Sequence, residues 1–487
     1  MGTPMTTPIT TLDQAAGYLE GLINVEKQPA TPYKRLGLEP IRALLARVGN
    51  PQDGLSVVHV AGSKGKGSTC LLAECVLRAA GERVGTFTSP HLERWTERFR
   101  IDGVEVAGER LADAVERLRP HIDALRRGPP GLAPTFFDAT TAAALLLFAN
   151  AGVDRVLLEV GLGGRLDSTN VVRPAVTCIT TIELEHTDKL GLTLAAIAGE
   201  KAGILKPGVP CVTGALPAEA ARVVAARAAE QGAPVERLGE DFHVALDDPS
   251  PATKAASAMS APLGLRYVAR DGFSLRASLP ILGAHHAANA AIAIAALRRL
   301  GAHDDAGLAR AARVGLAHVA LPGRVELVAT APRVLVDCAH TPASARALAE
   351  VVARMPARRR RLVLSVSADK DLPALLALLL PHFDSVTVTR ADAHRSLRPA
   401  DVAAAVREAR SDVELRVVPN PHLALRAAHA AARSDELLCV AGSVYLAGIA
   451  RRVFLADDGP TSPDRVRVSR RPSGATASPE TGPALER

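Results

Sequence analysis

The sequence predicts an α/β protein made of two successive parallel-sheet bodies. Three observations carry that expectation. Residues 56–60 read as a strand, a glycine-rich turn follows, 68–80 read as an Ala/Leu-rich helix, and 83–88 read as a second strand, which together form a β–loop–α–β unit. The pattern returns as helix 140–150, strand 155–159, another glycine-rich loop and strand 175–181. After a helix over 287–300 and the stretch 301–323, strands near 333–337, 361–365, 385–389 and 437–441 alternate with Ala-rich helices, the pattern of a separate Rossmann-like body.

Between these bodies, residues 216–279 show less regular periodicity, and 247–262 are rich in Ser, Ala and Pro, so that stretch is expected to be an excursion without chemistry. The expected organisation is a domain over 1–310, a second over 311–455, and a disordered tail over 456–487, where Pro, Ser, Gly and Arg leave too little apolar material to fold.

At 487 residues and 48% hydrophobic composition, the chain can bury two or three cores. Aromatics make up only 3%, so base-stacking platforms for nucleic acid are not expected. The net charge of +7 suits an anionic substrate, and the Arg excess reads as dispersed. Six scattered cysteines lack a C-x-x-C pair, which argues against a disulfide framework or zinc site. No apolar stretch approaches the roughly 20 residues that span a bilayer. A cytoplasmic monomer acting without membrane or nucleic acid is the expectation.

The chemistry starts at V-A-G-S-K-G-K-G-S-T, Val60 to Thr69, placed between strand and helix. Backbone N–H groups there can surround phosphates while Lys66 neutralises charge, with Gly62, Gly65, Gly67 and Ser68 shaping the loop. The extra Gly67 separates Lys66 from Ser68, so the run departs from the common G-x-x-x-x-G-K-[ST] form. Glu159 ends a buried strand just before Gly161, Gly163 and Gly164, where a carboxylate is suited to holding Mg²⁺ beside nucleotide phosphates. Arg324, after Pro322-Gly323, presents a planar guanidinium that can clamp a transferred phosphate.

From this loop onward the chain resembles the folylpolyglutamate synthase/dihydrofolate synthase family of the Mur ligase superfamily. H-V-A-G-S-K-G-K-G-S is similar to that family's H-V-A-G-T-N-G-K-G-S. Further blocks follow in the family's order: T-S-P-H-L, E-R-F-R-I-D-G, T-F-F-D, L-E-V-G-L-G-G-R-L-D-S-T-N, E-H-T-D-K-L-G, E-K-A-G-I-L-K-P-G, L-G-A-H-H-A-A-N-A, L-P-G-R-V-E, V-D-C-A-H-T-P, S-A-D-K-D and A-G-S-V-Y-L. The resemblance spans about Leu36 to Phe454. It implies a Mur-ligase-like P-loop ATPase domain with a parallel-rich sheet, joined to a C-terminal Rossmann-like glutamate ligase domain.

It also implies roles. Ser68, Ser89, Glu159 and His186 would ligate magnesium at two sites, with a monovalent cation as a further candidate, and Lys201 would be carbamylated by CO₂ and serve as an anion there. Asn289, Arg324 and Asp337 would hold ATP, and His340 or a metal-linked group would receive the amine's proton. Arg35, Leu36, Gly37 and Leu38, with Thr135, Asp138, Arg165 and Asp167, would contact the pterin acceptor. Departures stand at Lys64, Asp138, His286 and Thr341, where the family usually carries Asn, Glu, Gln and Asn. The A-H-T-P at Ala339 to Pro342 resembles the cell-wall Mur ligases instead.

The implied reaction joins a folate or dihydropteroate carboxylate to L-glutamate with ATP, through an acyl phosphate. One alternative is a Mur-like ligase acting on a different carboxylate acceptor. Another is a catalytically silent ATP-binding protein, against which the joint presence of Lys66, Glu159, His186, Lys201, Arg324 and Asp337 argues.

Overall fold

The structure is a computed structural model that describes residues 7–24, 37–129, 131–247 and 262–455. Arg35 and Leu36, most of the Ser/Ala/Pro-rich excursion and the tail over 456–487 lie outside the described residues.

Eight strands form the first sheet: β1 (Val57–Ala61), β2 (Val84–Phe87), β3 (Phe99–Ile101), β4 (Val104–Glu105), β5 (Arg155–Glu159), β6 (Val176–Ile179), β7 (Cys211–Thr213) and β8 (Val235–Arg237). Their order is β4-β3-β2-β5-β1-β6-β7-β8. The run from β2 to β8 is parallel, and β3 and β4 add an antiparallel edge. Strand β1 is buried along its whole length, as expected of a central strand covered on both faces. Because β2, β5, β1 and β6 are neighbours pointing the same way, the segments that follow them leave the sheet at one edge. That edge is where open parallel sheets place their ligands.

On one face lie the helices Gly108–Arg126 and Phe136–Ala151, with Leu111, Val115, Phe148 and Leu158 in a common core. The other face carries Lys66–Ala79 and His285–Leu300, covered in turn by an antiparallel three-stranded sheet, β9 (Phe242–Leu246), β10 (Leu263–Ala269) and β11 (Ser274–Leu279). This small sheet falls within the stretch expected to be irregular. Its alternation is present in β10, where Leu265, Tyr267 and Ala269 are buried and Arg266 is exposed.

The expected boundary at 310/311 falls inside one continuous helix, Asp305–Leu316. Its apolar face, Leu308, Ala311, Ala312 and Leu316, belongs to the core of the first body. Gly315 lets it pack closely on Lys66–Ala79, since a Cβ there would meet the Cys75 carbonyl oxygen at 2.3 Å.

The second body holds β12 (Glu326–Thr330), β13 (Arg333–Val336), β14 (Arg360–Leu364), β15 (Ser385–Val388), β16 (Glu414–Val417) and β17 (Leu437–Ala441), in the order β12-β13-β17-β14-β15-β16. All pairings are parallel except β12 with β13. Helices Pro342–Arg354, Leu372–Leu379 and Pro399–Ala409 cover one face, and Pro421–Ala430 and Val444–Leu455 the other. Among the described residues no helix is long and apolar enough to cross a membrane.

Candidate active site

The loop after β1 closes tightly because three glycines leave room. Gly62 and Gly65 take positive φ (147° and 85°), and Cβ atoms on them would meet Thr180 Oγ1 at 1.9 Å and Asn289 Oδ1 at 2.3 Å. A Cβ on Gly67 would lie 3.1 Å from Glu159 Oε2. The helix begins at Lys66, directly after the turn at Gly65, two residues ahead of the expected start. Lys66 Nζ donates to the Gly62 carbonyl at 2.9 Å. Ser68 is buried in the first turn, and Asn289, also buried, reaches the loop from the helix His285–Leu300.

Glu159, at the end of β5, is buried and accepts a hydrogen bond from the Ser89 backbone N–H at 2.9 Å. Burial raises its pKa, while Lys66 and Arg324 pull it down, so cations of both bodies face this carboxylate. Ser68, Ser89 and Glu159 thus converge as the sheet order requires.

Beyond β6 the chain delivers Glu185, His186 and, from the helix Leu194–Ala202, Lys201. Lys201 is 2% exposed, and its Nζ donates to Glu185 Oε1 at 3.0 Å. Lys64 of the phosphate loop reaches the other oxygen, Oε2, at 3.3 Å. Burial would raise the pKa of Glu185, but Lys201, Lys64 and Lys66 outweigh it and hold the carboxyl well below the usual range. Burial lowers Lys201 to about 8 and His186 to about 4. Glu185 was not among the expected site residues, although it stands in the run Glu183-Leu184-Glu185-His186 directly after a strand. Its two lysine partners are 121 and 16 positions away, a pairing that local periodicity does not reveal.

Among the described residues no three His, Cys, Asp or Glu side chains form a metal cage. The donor set at the loop fits magnesium all the same, because this hard cation takes one or two carboxylates and completes its shell with water and phosphate oxygens. Glu159, met by the Ser89 backbone and by Gly67, the neighbour of Ser68, supplies such an oxygen, and the Ser68 and Ser89 hydroxyls are the expected further ones. At the second expected position the unmodified Lys201 nitrogen is engaged with Glu185.

In the second body, Arg324 and Asp337 meet below β13. Asp337 is buried, and both its oxygens are taken by backbone N–H groups: Val325 to Oδ2 and Ala339 to Oδ1, each at 2.7 Å. Each oxygen keeps a second lone pair, so the expected contact with ATP stands beside these internal bonds. Asp337 fixes Val325, a β-branched residue at φ 53°, and with it the turn that presents Arg324. Burial raises the Asp337 pKa to about 6, against the pull of Arg324. His340 donates from Nδ1 to the Cys338 carbonyl at 2.7 Å, the acceptor having no proton to give, which leaves Nε2 as the acceptor nitrogen. Burial, with Lys64 and Lys370 nearby, lowers His340 to about 3, so the ring is neutral.

Four of the residues expected to contact the acceptor also make internal contacts. Thr135 and Asp138 form the capping box of the helix Phe136–Ala151, and Asp138 Oδ1 also accepts from Ser168 Oγ at 2.6 Å. Asp167 accepts from the backbone of Gly161, Leu162 and Thr169, bracing the glycine-rich loop after β5. Arg165 pairs with Glu200 at 2.8 Å on the surface. Gly37 and Leu38 lead into the helix Glu39–Arg47.

A phosphate loop and carboxylate on one sheet, faced by an arginine from a second α/β body, give the chain the two-body architecture of the Mur ligases. The Mur ligase middle domain matches residues 60–297 and the Mur ligase glutamate ligase domain matches 323–444. The chain is 37% identical to the dihydrofolate synthase/folylpolyglutamate synthase of Bacillus subtilis, over 75% of this chain and 81% of that one. It is 36% identical to a probable bifunctional folylpolyglutamate synthase/dihydropteroate synthase of Halobacterium salinarum, over 90% of this chain and 51% of that protein, so it spans about half the length of this relative. Among solved structures, Escherichia coli FolC in complex with DHPP and ADP superposes with a TM-score of 0.79 at 31% identity, covering 93% of this chain and 100% of that one. The Yersinia pestis bifunctional folylpolyglutamate synthase/dihydrofolate synthase with Mn, AMPPNP and L-glutamate bound gives 0.75 at 31%, covering 91% and 98%. The chain belongs to the folylpolyglutamate synthase/dihydrofolate synthase family.

Proposed function

We propose that this protein joins the carboxylate of a folate or dihydropteroate to the amino group of L-glutamate, converting ATP to ADP and phosphate, in the cytoplasm. The observation that carries the proposal is the convergence of Lys66, Ser89 and Glu159 at one sheet edge with Arg324 of the other body facing the same carboxylate.

A free carboxylate has no adequate leaving group. The γ-phosphoryl group of ATP therefore passes to a carboxylate oxygen, giving an acyl phosphate and ADP. Lys66 and Arg324 stabilise the charge that spreads over the transferring group. Glu159, Ser68 and Ser89 would hold Mg²⁺, which neutralises the β- and γ-phosphates when bound. The glutamate amine then attacks the acyl carbon, phosphate leaves, and the amine gives up a proton. The neutral His340 offers Nε2 to that proton. Lys201, buried and with a pKa lowered to about 8, supplies the neutral amine that CO₂ addition needs more readily than a surface lysine does. On carbamylation Glu185 keeps Lys64 as its partner.

The test is ADP release with dihydropteroate, tetrahydrofolate or a UDP-muramyl peptide as acceptor, each with glutamate, alanine, aspartate or diaminopimelate. Glutamate with a pterin acceptor should exceed every other pair. Equal or better turnover of diaminopimelate on the muramyl acceptor would replace the proposal with a cell-wall-type ligase.

A further inference from the structure

Arginine is not evenly dispersed in the fold. Arg358 to Arg361 lead into and begin β14, and the turn before β17 brings Arg433 beside them. Arg358, Arg359, Arg361 and Arg433, with Asp384, Ala431 and Glu436, line an open pocket of about 580 Å³. All of these residues lie at or before the amino ends of β14, β15 and β17. The ligase residues follow the carboxyl ends, so the pocket is at the opposite edge of the second sheet.

Two of the arginines are fixed. Arg361 Nε donates to the buried Glu436 at 2.7 Å, and Arg359 pairs with Glu414. Glu436 also accepts the Arg433 backbone N–H at 3.3 Å, and Asp384 accepts that of Arg360 at 2.7 Å, so both acids of the lining are engaged in holding the rim. The Arg358 and Arg433 side chains are exposed and have no ion pair among the described residues. With Arg361 and Arg359 paired to Glu436 and Glu414, Arg358 and Arg433 still outnumber Asp384, which leaves the concavity positive, and such forks match carboxylate and phosphate oxygens. The volume suits a small molecule. No aromatic side chain lines it, so it offers nucleobases no stacking surface.

We propose that this pocket is a second anion site, separate from the nucleotide cleft, for a compact small molecule with clustered carboxylate or phosphate groups. The experiment is calorimetric titration of the full chain, its cleft filled with AMPPNP and Mg²⁺, with tripolyphosphate in one arm and a triglutamate peptide in the other. At least one probe should bind saturably, weaken with added salt, and lose about tenfold or more in affinity in the double variant Arg358→Ala/Arg433→Ala. Both positions are exposed, so the variant should keep wild-type melting and, without added anion, wild-type ADP release. The preferred probe tells a carboxylate ligand from a phosphate one. The proposal is overturned if neither probe binds saturably, if the double variant binds as well as the wild type, or if only a single-stranded RNA oligonucleotide is retained.

Discussion

Glu159 and Asp337 occupy equivalent places in the two bodies, each at the carboxyl end of a parallel strand, each buried, and each with its pKa raised by burial. Their surroundings separate them. Asp337 gives both oxygens to backbone N–H groups of its own body. Glu159 also accepts from two backbone N–H groups, those of Ser89 and Gly67, and in addition faces Lys66 and, across the cleft, Arg324. Position at a strand end thus marks a site without deciding which carboxylate does chemistry. The cations decide that: Glu159 faces one from each body, Asp337 only Arg324.

The sharpest break of this comparison is Glu159→Gln, which removes charge at constant volume. Turnover should fall by roughly 10³-fold or more, with melting near wild type, because the lost interaction is with the metal and the transferring phosphate. Wild-type ADP release at saturating Mg²⁺ would remove Glu159 from the reaction.

Lys201→Arg separates an anionic from a cationic role beside Glu185. If the carbamate is the working form, activity falls by roughly 100-fold despite the retained positive charge, and Lys201→Ala regains part of its rate with acetate. Wild-type rates from the arginine variant would leave Lys201 as the ion-pair partner of Glu185.

Asp337→Asn should act chiefly on the fold. An amide cannot accept both the Val325 and Ala339 protons on equal terms, since one of its ends is itself a donor, and a buried unpaired N–H costs about 1–3 kcal/mol. Calorimetric melting should drop accordingly. An unchanged midpoint together with a loss of ATP affinity would make Asp337 a nucleotide contact after all.

The last effect, absent at neutral pH, is the pH dependence of His340. Its folded pKa of about 3 lies below the unfolded value, so the unfolded chain takes up a proton first as pH falls below about 6.5, and the stability contributed by the neutral ring is lost progressively toward pH 3. Wild type should lose stability relative to His340→Gln by about 1.4 kcal/mol per pH unit between pH 6 and 4. Parallel curves would mean that the ring titrates normally in the fold.

The parallel strands were legible in the sequence because their apolar runs are bounded by Gly, Pro and polar residues, and β5 and β17 begin and end where expected. The helix over 136–151 starts four residues early because T-F-F-D, taken as an acceptor contact, is an N-cap. The alternation of β10 was present and masked by the composition around it. In the site, the loop and Glu159 could be placed because each follows a strand that dictates where it emerges. The Lys64–Glu185–Lys201 chain of ion pairs could not, since its members meet only through the packing of β1 against β6. The internal hydrogen bonds of Asp167 and Asp138 could not be read either, because nothing local announces them.

The helix Val444–Leu455 carries one more consequence. Gly448 sits so close to the first body that a Cβ would come within 2.1 Å of the Leu92 carbonyl oxygen, and Arg451 nearby ties Glu93 to Glu326. The two bodies therefore meet main chain against main chain at this point, with no side chain as a shim. Drift in neighbouring side chains can change how firmly they are held but hardly the angle between them, whereas one added methyl group at Gly448 would act as a wedge. At this contact the angle between the jaws is set by the polypeptide backbone, and a glycine outside the expected site residues acts as its adjusting screw.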